Sequence, residues 1–218
     1  MIETGMAEQA KTIIEQAVAA YYGDKIRTYG TEPKGVDWKD AASQHLRFAQ
    51  LIKLFDSKVG GSVTDYGCGY GEFLLFLRQA RIEFEYLGID VSEEMIAAAS
   101  QYCRDIPNAA FAYGSSPARV NDYAVASGIF NVRLDFDDQA WLDYIISTLD
   151  NMNLHSRRGF AFNCLTKYSD PHLMRRDLYY CDPLLIFDHC KMTYSRNVAL
   201  LHDYDLYEFT VIVRKPKI

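Results

Sequence analysis

The stretch that decides the fold is Asp65-Tyr66-Gly67-Cys68-Gly69-Tyr70-Gly71. Ser62–Tyr66 reads as a short strand running into it, and the almost wholly apolar residues 72–80 read as a buried helix leaving it. Alternating glycines let the backbone take positive φ and approach a ligand closely. The helix that follows offers free N–H groups at its first turn. The next strand, Glu85–Asp90, ends in a carboxylate 19 residues after Gly71. A strand-end carboxylate at this distance from a glycine turn can bind the two hydroxyls of a ribose. Asp90 or Ser92 can also simply cap the helix that starts at Glu93. Loop and carboxylate together point to a nucleoside-bearing cofactor.

Outward from this core the pattern alternates. Glu93–Tyr102 is helical, Ala109–Tyr113 is a weaker strand, and Tyr123–Phe130 is a clear strand. Asp138–Asn151 is a helix with Trp141, Leu142, Ile145, Ile146 and Leu149 on one side, and Gly159–Leu165 is the next strand. Strands alternating with helices predict a parallel sheet covered on both faces. Asn197–Asp203 and Tyr207–Lys215 break the alternation, because so short a connection makes an antiparallel hairpin. The expected fold is therefore α/β: a Rossmann-like, seven-stranded, mostly parallel sheet with an antiparallel C-terminal hairpin and helices on both faces. An N-terminal helical cap precedes it. Residues 6–21 and Ala41–Phe55 are expected as the cap helices, with a polar loop over 22–40 between them. One domain over 1–218 is expected, with 1–55 as cap, 56–218 as core and 166–196 as a lid.

The glycine spacing separates two cofactor classes. A dinucleotide site has G-x-G-x-x-G. Here the third glycine comes one residue early, and Asp65 stands two residues before the first. A carboxylate beside the loop would repel a pyrophosphate and suit a ligand carrying a cationic amine and a sulfonium.

On these residues the sequence resembles the class I S-adenosylmethionine-dependent methyltransferases. The matching pieces are D-Y-G-C-G-Y-G (65–71), G-I-D-V-S-E-E-M (88–95), A-V-A-S-G-I-F (124–130) and the C-terminal hairpin. The resemblance implies S-adenosylmethionine as cofactor and S-adenosylhomocysteine as product. It implies that Asp65, Gly67, Cys68, Gly69 and Gly71 form the loop around the methionine part, with Asp65 near its amine. It implies Asp90 on the ribose, Val91 and Met95 beside the adenine, and Ser115 and Ser116 at the adenine edge. Many members carry an acidic residue where Ser115 stands. Ser127, Gly128 and Ile129 would lie under the methionine part. From the cap, Tyr22, Tyr29, Trp38, Gln44 and Arg47 are candidates, Arg47 because a guanidinium holds a carboxylate bidentately.

The acceptor is expected beyond the ends of the fourth and fifth strands, which brings in Asn131 and Arg133. The 166–196 segment adds Arg175, Arg176, Tyr179 and Tyr180 as a lid over a small polar or anionic acceptor. His202, Tyr168 and His172 are the candidate bases. Phe130-Asn131-Val132-Arg133 stands where resembling adenine and glutamine N-methyltransferases carry Asn/Asp-Pro-Pro-Tyr, which argues against nucleobase N-methylation; methyl transfer to an oxygen is the expectation.

Composition agrees. The 218 residues carry 23 Lys and Arg against 29 Asp and Glu, a net charge of −6. Phosphate neutralisation by basic residues dominates nucleic-acid affinity, so a nucleic-acid partner is not expected. No run is long and apolar enough for a membrane span. The five cysteines include no CxxC pair and the histidines no HExxH, so no metal is expected. A cytoplasmic monomer or homodimer is the expected setting. A nicotinamide-dependent oxidoreductase and a catalytically inactive S-adenosylmethionine-binding module are the rival readings. Of the 16 tyrosines, Tyr21, Tyr22, Tyr29, Tyr168, Tyr179, Tyr180 and Tyr194 fall in cap and lid, as expected of rings that line a sulfonium pocket.

Overall fold

The computed structural model describes residues 2–38, 40–56 and 59–216. Helices α1 (Ile2–Tyr29) and α2 (Ala41–Leu51) come first. There follow β1 (Val59–Tyr66), α3 (Glu72–Gln79), β2 (Glu83–Asp90), α4 (Glu93–Tyr102), β3 (Ala109–Tyr113) and β4 (Asn121–Ala126). The chain ends with α5 (Asp138–Leu154), β5 (Ser156–Leu165), α6 (Pro183–Thr193), β6 (Asn197–Leu201) and β7 (Glu208–Arg214). One seven-stranded sheet runs β3-β2-β1-β4-β5-β7-β6, parallel from β3 to β5. Strand β7 lies antiparallel between β5 and β6. The Rossmann-like sheet and its C-terminal hairpin are as expected from the sequence.

Strand β1 is central, and the chain leaves it toward β2 on one side while β4 lies on the other. Ligands of open α/β sheets bind in the crevice at such a switch point, beyond the carboxyl ends of the strands. The register places Asp65 of β1 beside Gly88 of β2 and Val125 of β4. The loops after Tyr66, Asp90 and Ala126 therefore meet at one end of the sheet.

Two apolar layers hold the strands. One gathers Phe48, Leu51 and Leu54 of the cap region with Phe73, Leu74 and Leu77 of α3. The other gathers Trp141, Ile145 and Leu149 of α5 with Phe160, Phe162 and Phe209. The link from β3 to β4 contains no helix, although a parallel crossover ordinarily carries one. Helix α1 supplies cover on this face: Ile14 and Val18 pack with Tyr66, Leu87 and Ile89.

Four expectations change in detail. The first helix continues to Tyr29, well beyond residue 21, so much of the expected loop over 22–40 is helical. Ile26 packs with Tyr70 and Met95, and Arg27 pairs with Glu94. Gly23 does not stop the helix; it lies beside the Glu94 side chain, whose carboxylate would stand 3.1 Å from a Cβ placed there. Gly30 ends the helix at φ +63, its N–H bonded to Ile26 O at 2.9 Å. The second helix closes at Leu51 and finishes as a 3₁₀ turn, Ile52–Leu54. Strand β4 stops at Ala126 rather than Phe130, because the chain turns at Gly128.

The fourth change concerns 166–196. Its second part is α6, with Pro183, Ile186 and Cys190 buried in the sheet layer. Strand β6 lies at the sheet edge beyond β7, so the chain needs a crossover to reach it. Only the part before α6 is free to act as a cover.

Candidate functional site

A cleft opens at the switch point. Its floor is the glycine loop. Gly67 has φ +64, and a Cβ there would stand 2.2 Å from Ile129 Cγ2. Gly128 has φ +77, and a Cβ would strike the Trp38 ring at 2.3 Å. These two glycines let the loop after β1, the loop after β4 and the cap close on one another.

Three carboxylates line this cleft, Asp65, Glu72 and Asp90, and Asp65 and Asp90 are nearly inaccessible. Asp90 accepts hydrogen bonds from Gly69 N (3.0 Å, Oδ2) and Ser92 N (2.9 Å, Oδ1). Burial still lifts its pKa to about 6, against the lowering by those backbone N–H groups. Asp65 accepts from the Tyr86 hydroxyl at 2.6 Å. Burial lifts Asp65 to about 7; the Tyr86 bond opposes the rise and nearby Asp90 adds to it. Neither has a cationic partner among the described residues. The Cys68 thiol is raised by burial and by the two carboxylates, so it is held protonated.

The structure brings together most residues singled out for the cofactor. Asp65, Gly67, Cys68, Gly69, Asp90 and Val91 all line the cleft. So do Met95, Ser115, Ser127, Gly128, Ile129 and Trp38. Four do not. Gly71 faces Cys103 Sγ and Phe111, where a Cβ would sit 2.7 Å from the sulfur. Ser116 accepts from Asn151 Nδ2 at 2.9 Å. Tyr29 is exposed at the end of α1. Arg47 stands behind the wall, its guanidinium 4.1 Å from the centre of the Trp38 ring.

The acceptor candidates are placed differently: none of them lines the cleft. Asn131 Oδ1 accepts from Leu165 N at 3.0 Å, and its Nδ2 donates to Glu208 at 3.3 Å. Arg133 donates to the carbonyls of Leu178, Phe136 and Arg176, fastening the cover segment to the loop after β4. Arg175 pairs with Asp177 and lies 3.9 Å from Asp37; Arg176 is exposed. Tyr179 packs on the main core, and the Tyr180 hydroxyl accepts from Arg175 N at 2.9 Å. His202 and Tyr168 are exposed, with ring centres 6.1 Å apart, and His172 sits in a surface 3₁₀ turn.

Of the seven tyrosines assigned to the pocket, only Tyr22 lines it. Tyr21 donates to Asp37 at 2.9 Å, and Tyr194 donates to Asp150 at 2.7 Å. The aromatic wall comes instead from Tyr22, Tyr66, Tyr70, Tyr144, Trp38 and Phe48, with Phe73. Tyr144 and Thr148 carry no signal in the sequence that points to a site. They share a helix face with Trp141 and Ile145 and read as core. Val18 of α1 was likewise unforeseen. It lines the cleft from α1, which packs over Tyr66, Leu87 and Ile89.

A glycine loop and a strand-end carboxylate meeting at the switch point define an α/β protein built to hold a nucleoside cofactor. Comparison with known proteins narrows this class. The family described as "Methyltransferase domain" matches residues 63–152. "Putative methyltransferase Rv1506c" of Mycobacterium tuberculosis (strain ATCC 25618 / H37Rv) is 54% identical over 154 residues, covering 71% of this chain and 93% of that protein. The SAH-bound magnesium protoporphyrin IX methyltransferase of Synechocystis PCC 6803 superposes with a TM-score of 0.65 at 14% identity, covering 94% of this chain and 100% of that one. The DhpI-SAM-HEP complex superposes with a TM-score of 0.67 at 14% identity, over 93% of this chain and 98% of that one. The chain belongs to the class I S-adenosylmethionine-dependent methyltransferases. Its cofactor is S-adenosylmethionine, and the nicotinamide reading falls. No helix among the described residues is long and apolar enough to cross a membrane.

Proposed function

We propose that this methyltransferase acts on a small polar acceptor, with an oxygen as nucleophile. The observation that carries the reading is the composition of the cleft wall. Among the described residues, the lining includes Asp65, Glu72 and Asp90 but no Lys, Arg or His. The wall offers an anionic acceptor no cation, so the anionic half of the sequence-based expectation gives way to a neutral, polar one. Cap residues Tyr22, Val36, Trp38 and Gln44 wall the cleft and favour a small molecule over a broad surface. Asn131 is committed to Leu165 and Glu208, so it is not free to hold a nucleobase amine.

The residues also fit the cofactor. When bound, S-adenosylmethionine supplies an activated methyl group on a sulfonium, ready for in-line displacement. Asp90 would accept from the ribose hydroxyls, and Val91, Met95 and Ser115 would bound the adenine. Five buried side-chain atoms lack partners among the described residues, and two of them belong to this region: Gln44 Oε1, in the wall, and Arg47 Nη1, behind it. An orphaned buried polar atom calls for an explanation, and a ligand filling the cleft would supply one for this pair. An acceptor oxygen and a guanidinium N–H match the amine and carboxylate of a methionine zwitterion. Asp65 would add its charge to the amine side. The aromatic wall would limit water around the sulfonium, and any ring face turned to that cation would add ~0.5–2 kcal/mol.

Turnover of methyl-labelled S-adenosylmethionine against a fractionated metabolite pool tests this. A labelled small neutral product, with the label in a base-stable ether or a base-labile ester, supports it. Label appearing only in RNA or protein overturns it. Binding without any turnover favours the inactive module.

A further inference from the structure

Glu208 opens β7 and is 1% exposed, a buried carboxylate with no part in the cofactor contacts above. Its Oε2 accepts from Arg47 Nε at 2.6 Å and its Oε1 from Asn131 Nδ2 at 3.3 Å. Asn131 in turn accepts from Leu165 N through Oδ1 and from Tyr179 N through its carbonyl at 2.8 Å. One carboxylate thus ties the cap helix α2, the loop after β4 and the cover segment after β5. A buried ion pair is a weak stabiliser, because desolvation offsets most of the attraction. What it does fix is geometry. Arg47 is held at Nε, its face lies against Trp38, and Nη1 keeps a free N–H in a buried place. Gln44 and Arg47 are three residues apart on α2 and so share a helix face. Gln44 lines the cleft.

We propose that Glu208 is a positioning residue: by anchoring Nε it orients Arg47 so that the free edge of the guanidinium receives the carboxylate of the cofactor's methionine end. This rests on the assignment of Arg47 made above. Glu208 belongs to the C-terminal hairpin, so the last strand pair of the fold would tune the methyl-donor site through a side chain that never touches the cofactor.

The test compares two ligands by calorimetry on the full chain: S-adenosylhomocysteine and methylthioadenosine, which lacks the amino acid end. Glu208→Gln keeps shape and removes charge. It is expected to weaken S-adenosylhomocysteine about tenfold, the scale of one charge-assisted hydrogen bond, and to leave methylthioadenosine unchanged. Arg47→Lys keeps the charge but loses the fork, and the same selective loss is expected. If Arg47→Lys loses affinity and Glu208→Gln does not, Glu208 only packs and the inference fails. If Arg47→Lys binds both ligands as the unaltered protein does, the Arg47 assignment itself fails. Equal weakening of both ligands by Glu208→Gln, with a lowered melting temperature, shows general distortion and also overturns the inference.

Discussion

The two halves of the sheet end differently. At the ends of β1 and β2, polar atoms are left facing open space. Asp65 and Asp90 are buried, their carboxyl pKa values lifted by desolvation, and each is held by only one or two neutral donors. At the ends of β4 and β5, polar groups are used up inside the protein. Asn163 Oδ1 accepts from Gly128 N at 2.8 Å, Asn131 is spent on Leu165 and Glu208, and Arg133 on three carbonyls. Where side chains carry unspent hydrogen-bonding capacity, a ligand has something to satisfy. Where they are spent, they build frame. The first half supplies the acidic lining of the cleft, and the second half is largely frame.

The largest effect expected from this contrast is at Asp90. Asp90→Ala should weaken S-adenosylhomocysteine binding by about 100-fold, the order of two hydrogen bonds to a charged acceptor, as read by calorimetry. A change below about threefold would break the contrast, because the carboxylate would then be only a cap for α4.

Asp65→Asn should have an intermediate and two-signed effect. Burial raises the folded-state pKa from 3.8 to about 7, so the fold favours the neutral carboxyl. Its stabilising contribution is full below the unfolded value and is lost as pH rises through about 7. Ionising the buried carboxyl costs roughly 4 kcal/mol at most, at ~1.4 kcal/mol for each tenfold change in its protonation equilibrium. Asp65→Asn should therefore raise the melting temperature of the ligand-free protein at pH 8 and flatten its pH dependence between about pH 4 and 7. The same substitution should weaken the cofactor, since the amine loses a charged partner. A variant that gains stability without losing affinity would remove Asp65 from the site.

The smallest effect belongs to the other half. Arg175→Ala combined with Arg176→Ala should leave the acceptor KM within about twofold and stability within ~0.5 kcal/mol, the usual scale for exposed side chains. Arg175 is already paired with Asp177 and Arg176 is exposed. A KM increase of tenfold would restore the lid reading that the placement of these residues sets aside.

Legibility follows the same division. That Asp65, Gly67, Gly69 and Asp90 meet at one cleft could be read because the signals are local: a glycine turn, a strand end and a helix start lie within one βαβ unit. The acceptor side could not, because its residues acquire roles only through partners far away. Arg47 and Glu208 are 161 positions apart, and nothing near either one announces the pair. The tyrosines were misassigned for a related reason. Residence in cap or cover says which element a ring belongs to, whereas the direction it faces depends on what that element packs against. Tyr144, on a helix that reads as pure core, reaches the cleft, while Tyr168 and Tyr29 face solvent.

The sequence by itself determined the α/β class, the sheet with its terminal hairpin, the cofactor class and the carboxylates that face the cleft. Each rests on short-range periodicity or a motif within about thirty residues. Only the tertiary structure decided that α1 covers the face over β1 and β2, that α6 belongs to the sheet layer rather than to a lid, and that the cleft wall carries no cation among its described residues. Those outcomes depend on how distant elements share one buried volume and on which charges find partners there. Pattern along the chain does not encode either.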